Sequence, residues 1–272
     1  MINNTSALAQ QYWEHGRLPD CPIIDVHAHM HEEPNIYFPA GNPEDMVRTM
    51  ERCGTKLTIF CSHLALSCPE IGERANIEPV RQYPNHFRAY HAIRTRNLNP
   101  DEDLRRIEDN PDVYVGLKFL CDYQNAALTD ERHKPYFEYA NEKKLLILMH
   151  TWGGSPYDGV AEVRKIAEKY HDAVLICGHS FHGAWQDGLT LAQYPNLYYE
   201  MTAVLDDRGI VERIAEKAGS ERMLFGTDLP WFSTHHGVGA LLSADISDED
   251  CHNILHRNAE GLLSRFDWFA SL

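Results

Sequence analysis

Cys21-Pro-Ile-Ile-Asp-Val-His-Ala-His-Met30 is an apolar, β-branched stretch that ends in two histidines one residue apart. Side chains alternate faces along a β-strand, so residues i and i+2 point the same way. His27 and His29 are therefore expected to project together from the end of a strand, with Asp25 below them on the same side. Two neutral imidazoles converging on one point make half a metal site, and zinc, iron and manganese all suit such a pair. Taken alone, such a pair is more often a strand end with two solvated histidines, so the rest of the chain decides.

Seven further runs of the same kind follow. The eight are Ile23–Met30, Lys56–His63, Phe87–Ile93, Tyr114–Leu120, Leu145–His150, Ala173–His179, Leu197–Thr202 and Met223–Leu229. Most are continuously apolar rather than alternating, as parallel strands buried on both faces require. Amphipathic segments with helix start signals separate them. Asn42-Pro43 opens one helix, Asn99-Pro100 a second and Asp158 a third, while Asp206 or Asp207 begins a segment that stops at Gly219. Eight β-α units without a linker predict a single (β/α)8 TIM-type barrel over residues 21–272. A doubly wound open sheet is the alternative, but no glycine-rich first turn supports it. Residues 1–20 form an extension in which Ala7–His15 is expected as a short helix covering the barrel bottom or making a subunit contact.

Composition narrows the function. At 272 residues and 43% hydrophobic, the chain holds enough apolar material for one large core. A net charge of −15 with no basic cluster argues against nucleic acid and anionic membranes as partners. No stretch approaches the roughly 18 apolar residues that span a bilayer. The N-terminus lacks the basic and apolar regions of a signal peptide, and the seven cysteines are scattered without a CxxC pair, so a reducing cytoplasmic setting is expected.

In a barrel of this kind the C-terminal ends of the strands share one mouth, where catalytic groups collect. Strand one ends in His27 and His29, strand two in His63, strand five in His150, strand six in His179 and strand eight in Asp228. Strand three ends near Arg94, strand four carries Lys118, and strand seven ends near Glu200 and Thr202, whose contribution is unassigned. One strand-end histidine is usually structural. Several at once, two of them as HxH, point to a metal centre.

Asp25-Val-His-Ala-His29, His150, Gly178-His-Ser180, Phe225-Gly-Thr-Asp228 and Ile254-Leu-His-Arg-Asn-Ala-Glu260 resemble the amidohydrolase superfamily. More narrowly, they resemble its amidohydrolase-related branch of small hydrolases, lactonases and decarboxylases of the aminocarboxymuconate-semialdehyde type. The resemblance spans nearly the whole chain. It implies that His27, His29, His150 and Asp228 hold one divalent metal, with zinc as the default and manganese or iron as alternatives. It also implies that His179 lies beside the metal, polarising the substrate or positioning water. Three imidazoles and a carboxylate leave a position for water, whose pKa falls to about 7 in catalytic zinc sites. Asp228 is then the expected general base and His179 the group that stabilises oxyanion charge. In some superfamily members a strand-four lysine is carbamylated and bridges two metals. In the branch resembled here the lysine commonly does not do so, and Lys118 is either a second-metal ligand or a structural charge paired with Asp25 or Glu200 inside the barrel.

The substrate pocket comes from loops after the strands. Arg94 is the expected carboxylate clamp. His63, Trp152 and Trp231 are further candidates, with Trp152, Phe181 and Trp231 expected to form an apolar wall. The predicted function is metal-dependent hydrolysis of an ester, lactone or amide of a small organic acid, favoured by the compact chain. Nonoxidative decarboxylation of a small aromatic or unsaturated acid is the alternative, and an inactive barrel with a binding role the third. A homodimer is a family-level expectation.

Overall fold

The computed structural model describes residues 6–32, 37–205 and 207–272. Eight parallel strands pair in sequence order: β1 (Ile23–Met30), β2 (Thr55–Ser62), β3 (Phe87–Ile93), β4 (Tyr114–Phe119), β5 (Leu146–Trp152), β6 (Val174–His182), β7 (Leu197–Glu200) and β8 (Met223–Leu224). Helices follow the strands and cover them outside, giving the (β/α)8 barrel. β1, β3, β4 and β2 past its second residue are buried on both faces, which explains their continuous apolar runs.

β8 is much shorter than its expected run, and the chain after it leaves regular pairing. The barrel closes there through single contacts. Val26 N–H donates to Phe225 O (3.0 Å), His29 N–H to Leu229 O (2.6 Å) and Asp228 N–H to His27 O (2.7 Å). Asp25 ties the same seam with its carboxylate, accepting from Thr227 Oγ1 at 2.5 Å and from the Thr227 and His27 amides at 3.1 Å. The closing seam and the histidine pair are thus one piece of structure.

Capping follows the sequence at Asn42, whose Oδ1 accepts from Asp45 N–H at 2.9 Å to open Pro43–Cys53, and Gly54 ends that helix at φ 79°. Asp158 does not open a helix. Gly159 caps Val160–Ala167 instead, while Asp158 turns inward and is fully buried. The helix expected from Asp206 or Asp207 runs Ile210–Ala218 with Gly209 as its cap and stops at Gly219; Asp206 lies outside the described residues.

Ala7–His15 is helical, capped by Ser6, but it packs on the outer helix Thr234–Leu242, with Tyr12 OH donating to His235 O at 2.6 Å. Residues 1–5 of the expected extension lie outside the described residues. The barrel bottom is covered by the C-terminal segment instead. Phe266, Trp268, Phe269 and Leu272 pack on the interior cluster, and the Arg88 guanidinium lies 3.9 Å from the Trp268 ring centre. No described helix is long and apolar enough to cross a membrane.

Candidate metal centre

His27 and His29 end β1 with their rings 5.6 Å apart, both buried. A register irregularity between Asp25 and Ala28 in the pairing with β2 accompanies this arrangement. Each ring is oriented through Nδ1. His29 Nδ1 lies 2.8 Å from Cys61 O, and His27 Nδ1 lies 2.8 Å from Glu200 Oε2. A carbonyl can only accept, so His29 carries its proton on Nδ1 and its Nε2 presents a lone pair. The Glu200 carboxylate imposes the same tautomer on His27. Both Nε2 atoms face Asp228 Oδ1, at 3.4 Å from His27 and 3.2 Å from His29. That oxygen is buried and has no hydrogen-bond partner among the described residues. Two aimed lone pairs and an orphaned carboxylate oxygen, all within 4.8 Å of one another, fit a divalent metal ion.

The backbone is strained where these groups gather. Asp228 has φ 56°, and His179, Ser180 and Phe181 have φ 66°, 42° and 60°. The left-handed region costs a non-glycine residue about 1–2 kcal/mol, and such residues cluster at functional sites. Ser180 Oγ donating to Glu200 O at 2.7 Å and Phe181 N–H donating to Thr151 Oγ1 at 3.0 Å hold the unusual turn.

His179 lies with its ring 4.9 Å from His27 and 4.9 Å from His150, and its buried Nδ1 has no hydrogen-bond partner among the described residues. His150 is one ring further out. Its Nδ1 lies 3.1 Å from Asp158 Oδ2 and 3.8 Å from Asp122 Oδ2, the same kind of carboxylate support that Glu200 gives His27. The structure therefore gathers His27, His29 and Asp228 tightly, with His179 next and His150 at the edge.

Burial keeps His27 neutral, reinforced by Lys118, and burial likewise pushes His179 well below the ordinary imidazole value. Burial opposes the charge of Asp228, but His27 and His29 hold it as a carboxylate far into acid. Burial raises Asp25 to about 8 and also raises Glu200. Neutral imidazoles beside an ionised carboxylate are the protonation states that metal binding needs.

Lys118 differs from expectation. Its Nζ lies 2.9 Å from His27 Nε2, rather than pairing with Asp25 or Glu200, whose oxygens are occupied by Thr227 and by His27, His179 and Thr202. Arg94 is also redirected. Its Nη1 donates to Ala65 O at 2.7 Å and lies 3.5 Å from Glu73 Oε1, so its charge already has a carboxylate and the clamp role falls away. Phe181 is fully buried core rather than pocket wall. His63 stacks on His29 at 4.5 Å and on Phe38 at 4.6 Å, and burial lowers its pKa to about 3. Trp152 stacks over His150 at 5.7 Å and meets His179 edge-on at 5.5 Å. Trp231 meets Phe38 edge-on at 4.5 Å.

Sequence reasoning missed the supporting carboxylates. Glu200 accepts from His27 Nδ1, from the amides of His179 and Thr202, and from Thr202 Oγ1. Gly226 makes room for it, since a Cβ there would come 2.2 Å from Glu200 Oε1. Its place at the end of strand seven was the available signal. Asp158 gave none, because a cap and a buried partner share one residue type.

Residues 100–265 match the amidohydrolase family. No curated protein matches the sequence. Solved structures do match in fold. An uncharacterized TIM-barrel protein from Bordetella bronchiseptica superposes with TM-score 0.73 at 18% identity, covering 89% of this chain and 98% of its own. 2,6-Dihydroxybenzoate decarboxylase from Rhizobium gives TM-score 0.69 at 16% identity, covering 90% and 99%. 5-Carboxyvanillate decarboxylase from Novosphingobium aromaticivorans, complexed with manganese and 4-hydroxy-3-methoxy-5-nitrobenzoic acid, gives TM-score 0.71 at 14% identity, covering 90% and 96%. At such identities the likeness establishes the barrel.

Proposed function

The chain belongs to the amidohydrolase family, as an enzyme of its metal-dependent type, and from that premise we propose that it decarboxylates a small planar carboxylic acid without oxidation. The bond between the carboxyl group and an aromatic or unsaturated carbon breaks, carbon dioxide leaves, and a proton joins the carbon that keeps the electron pair.

The observation that carries this reading is the aromatic frame of the mouth. Trp152 and Trp231 are 38% and 41% exposed, and each is anchored on rings of the site wall rather than buried in the core. Flat rings in edge and offset arrangements receive a flat substrate well. The dihydroxybenzoate and carboxyvanillate decarboxylases that share the barrel support the same substrate shape.

His27, His29 and Asp228 would hold the ion, with His150 as the candidate fourth ligand. Zinc suits this nitrogen-rich set, and manganese is the alternative. When bound, the ion supplies Lewis-acid polarisation of a substrate oxygen. The remaining work belongs to the chain. Asp228, whose carboxylic acid form is disfavoured, gives up a proton readily once it has taken one from solvent. His179 is kept neutral by burial, so its free Nδ1 exchanges a hydrogen bond with substrate without adding charge. Glu200 and Asp158 hold the rings of His27 and His150.

Hydrolysis of an ester, lactone or amide is the second reading, favoured by the unpartnered Asp228 Oδ1 as an acceptor for a proton from water. Metal-reconstituted protein offered hydroxybenzoic and unsaturated acids in deuterium oxide should release carbon dioxide and place one deuterium on the carbon that lost the carboxyl group. Acid release from lactones or esters, with no carbon dioxide from any acid, would overturn decarboxylation in favour of hydrolysis.

A further inference from the structure

A second convergence of metal-ligating atoms lies at the opposite end of β1, away from the mouth. Cys21, His252 and His256 each offer one ligating atom, and the three atoms all lie within 4.8 Å of one another. Cys21 is fully buried, one proline before β1 begins. Among the described residues its thiol has only a long contact, 3.7 Å, to Pro22 O. His252 and His256 are one turn apart on the helical stretch formed by Asp248–His252, the π-turn Asn253–Arg257 and Asn258–Leu263. Residues four apart on a helix share a face, so both rings turn toward Cys21.

We propose that Cys21, His252 and His256 bind a divalent ion of the zinc class, as a site separate from the mouth. Two ring nitrogens, His252 Nδ1 and His256 Nε2, face each other at 3.1 Å. A tetrahedral ion at about 2.0–2.1 Å from each nitrogen would hold them roughly 3.3 Å apart, so the pair needs to open only slightly. His256 Nδ1 lies 3.1 Å from Glu260 Oε2 without a formed hydrogen bond, and that nearby carboxylate favours the proton on Nδ1, leaving Nε2 to ligate. His252 is half-buried, so its other nitrogen can take the proton and meet water when Nδ1 ligates. One thiolate with two imidazoles selects zinc, cobalt or copper over magnesium, calcium or manganese. The thiol proton is released on binding, so affinity rises with pH.

The location gives the ion a purpose. β8 and β1 are joined by the few contacts of the closing seam and the single bridge Ala28–Leu229. Phe225, next after β8, donates its amide to Ile254 O at 3.0 Å, a carbonyl within the π-turn. An ion on Cys21, His252 and His256 links the start of β1 to the helix that already holds β8. It therefore fastens the barrel seam from below, eight residues or about 26 Å of extended chain from His29.

The test uses the full chain, stripped of metal by chelation and titrated with cobalt. Two ions should bind per chain, one of them producing a sulfur-to-cobalt charge-transfer band in the near ultraviolet. Cys21→Ser and His252→Ala should each remove that band and one ion. His29→Ala should weaken the mouth site and leave the band intact. Zinc should raise the melting temperature of His29→Ala protein and fail to do so once His252→Ala is added. His252 is half-buried and its alanine variant keeps the fold if Cys21→Ser does not. Absence of a thiolate band in the parent protein, or its survival in His252→Ala, would overturn the proposal. These readouts are independent of the reaction at the mouth.

Discussion

Two buried clusters of histidine and carboxylate lie on opposite sides of the barrel wall, and their imidazoles are shifted in opposite directions. Inside, His27 and His179 are held neutral by burial around the Asp228 carboxylate. Outside, His91 on β3 faces Glu73 Oε2 at 3.3 Å and Asp103 Oδ1 at 3.5 Å, on the helices Pro69–Gln82 and Pro100–Asp109. Burial disfavours its charge, but donation toward the Asp103 and Glu73 carboxylates, and their negative charge, raise its pKa. Tyr114 OH and Tyr136 OH donate to those two carboxylates at 2.6 Å each, and Arg94 and Arg106 add charge. Burial of a histidine beside a carboxylate is therefore no sign of function. The inner cluster is distinguished by lone pairs converging on one carboxylate oxygen and by a strained backbone; an unpartnered oxygen alone does not set it apart, since Glu73 Oε1 also lacks a hydrogen-bond partner among the described residues.

The sharpest way to break this distinction is to remove charge from each cluster in turn. Asp228→Asn keeps the size of the side chain and deletes the anionic donor. Turnover should fall at least about a thousandfold, as loss of several kcal/mol of transition-state stabilisation implies, with one fewer ion at the mouth and an unchanged circular dichroism spectrum. Retained turnover would mean that Asp228 carries neither metal nor proton.

Glu73→Gln should do the converse. It leaves His91 and two arginines partly uncompensated in the interior, which costs about 3–5 kcal/mol of stability when a buried ion network loses a partner. Activity per folded molecule should be unchanged. The pH dependence has a definite sign. His91, Tyr114 and Arg106 overcome burial and lower Glu73 from 4.5 to about 2, so its contribution is present above 4.5 and is lost as pH falls toward 2. His91 is raised above 6.5, so its contribution is complete below 6.5 and is lost as pH rises through the raised value. Urea unfolding across pH should show both limbs in the parent protein and a flattened acid limb in Glu73→Gln.

A smaller effect is expected from the carboxylate that supports the inner cluster without joining the three-atom convergence. Glu200→Gln keeps a hydrogen bond to His27 but weakens its hold on the tautomer. Metal affinity should drop about 10–100-fold, the range for outer-shell partners of ligating histidines. Saturating metal should then restore most of the turnover, which separates a positioning role from a ligating one. Affinity equal to that of the parent would remove Glu200 from the site.

The comparison also explains what the sequence displayed and what it hid. The strands were legible because a parallel sheet buries both faces and writes continuous apolar runs; β1 and β3 match their expected bounds, residue for residue. β8 was overdrawn because Phe225 to Leu229 continues the run Met223-Leu224 yet closes the barrel through single contacts rather than ladder pairing, which composition does not record. His27, His29, His179 and Asp228 were legible as strand-end residues. Asp158 and Arg94 were not, since a cap looks like a buried acceptor and a clamp looks like an internal ion pair until the fold supplies their partners. The Cys21, His252 and His256 group was hidden by distance along the chain, although its two histidines stood one helical turn apart within view.

The smallest expected effect lies at the rim, where the aromatic frame meets solvent. Trp231 is 41% exposed and touches Phe38, which stacks on His63, which stacks in turn on His29. A flat substrate held against that face gains about 0.5–1.5 kcal/mol from ring contact, so Trp231→Ala should raise KM roughly two- to tenfold with kcat little changed. Trp152 lies on the other flank, stacked on His150 and edge-on to His179. Trp152→Ala should therefore raise KM similarly and also lower kcat, because it releases rings that stand beside the reacting centre. If both variants shift KM alone, the two tryptophans are equivalent walls. If neither moves KM for any planar acid, the substrate does not lie between them, and the aromatic frame ceases to favour decarboxylation over hydrolysis.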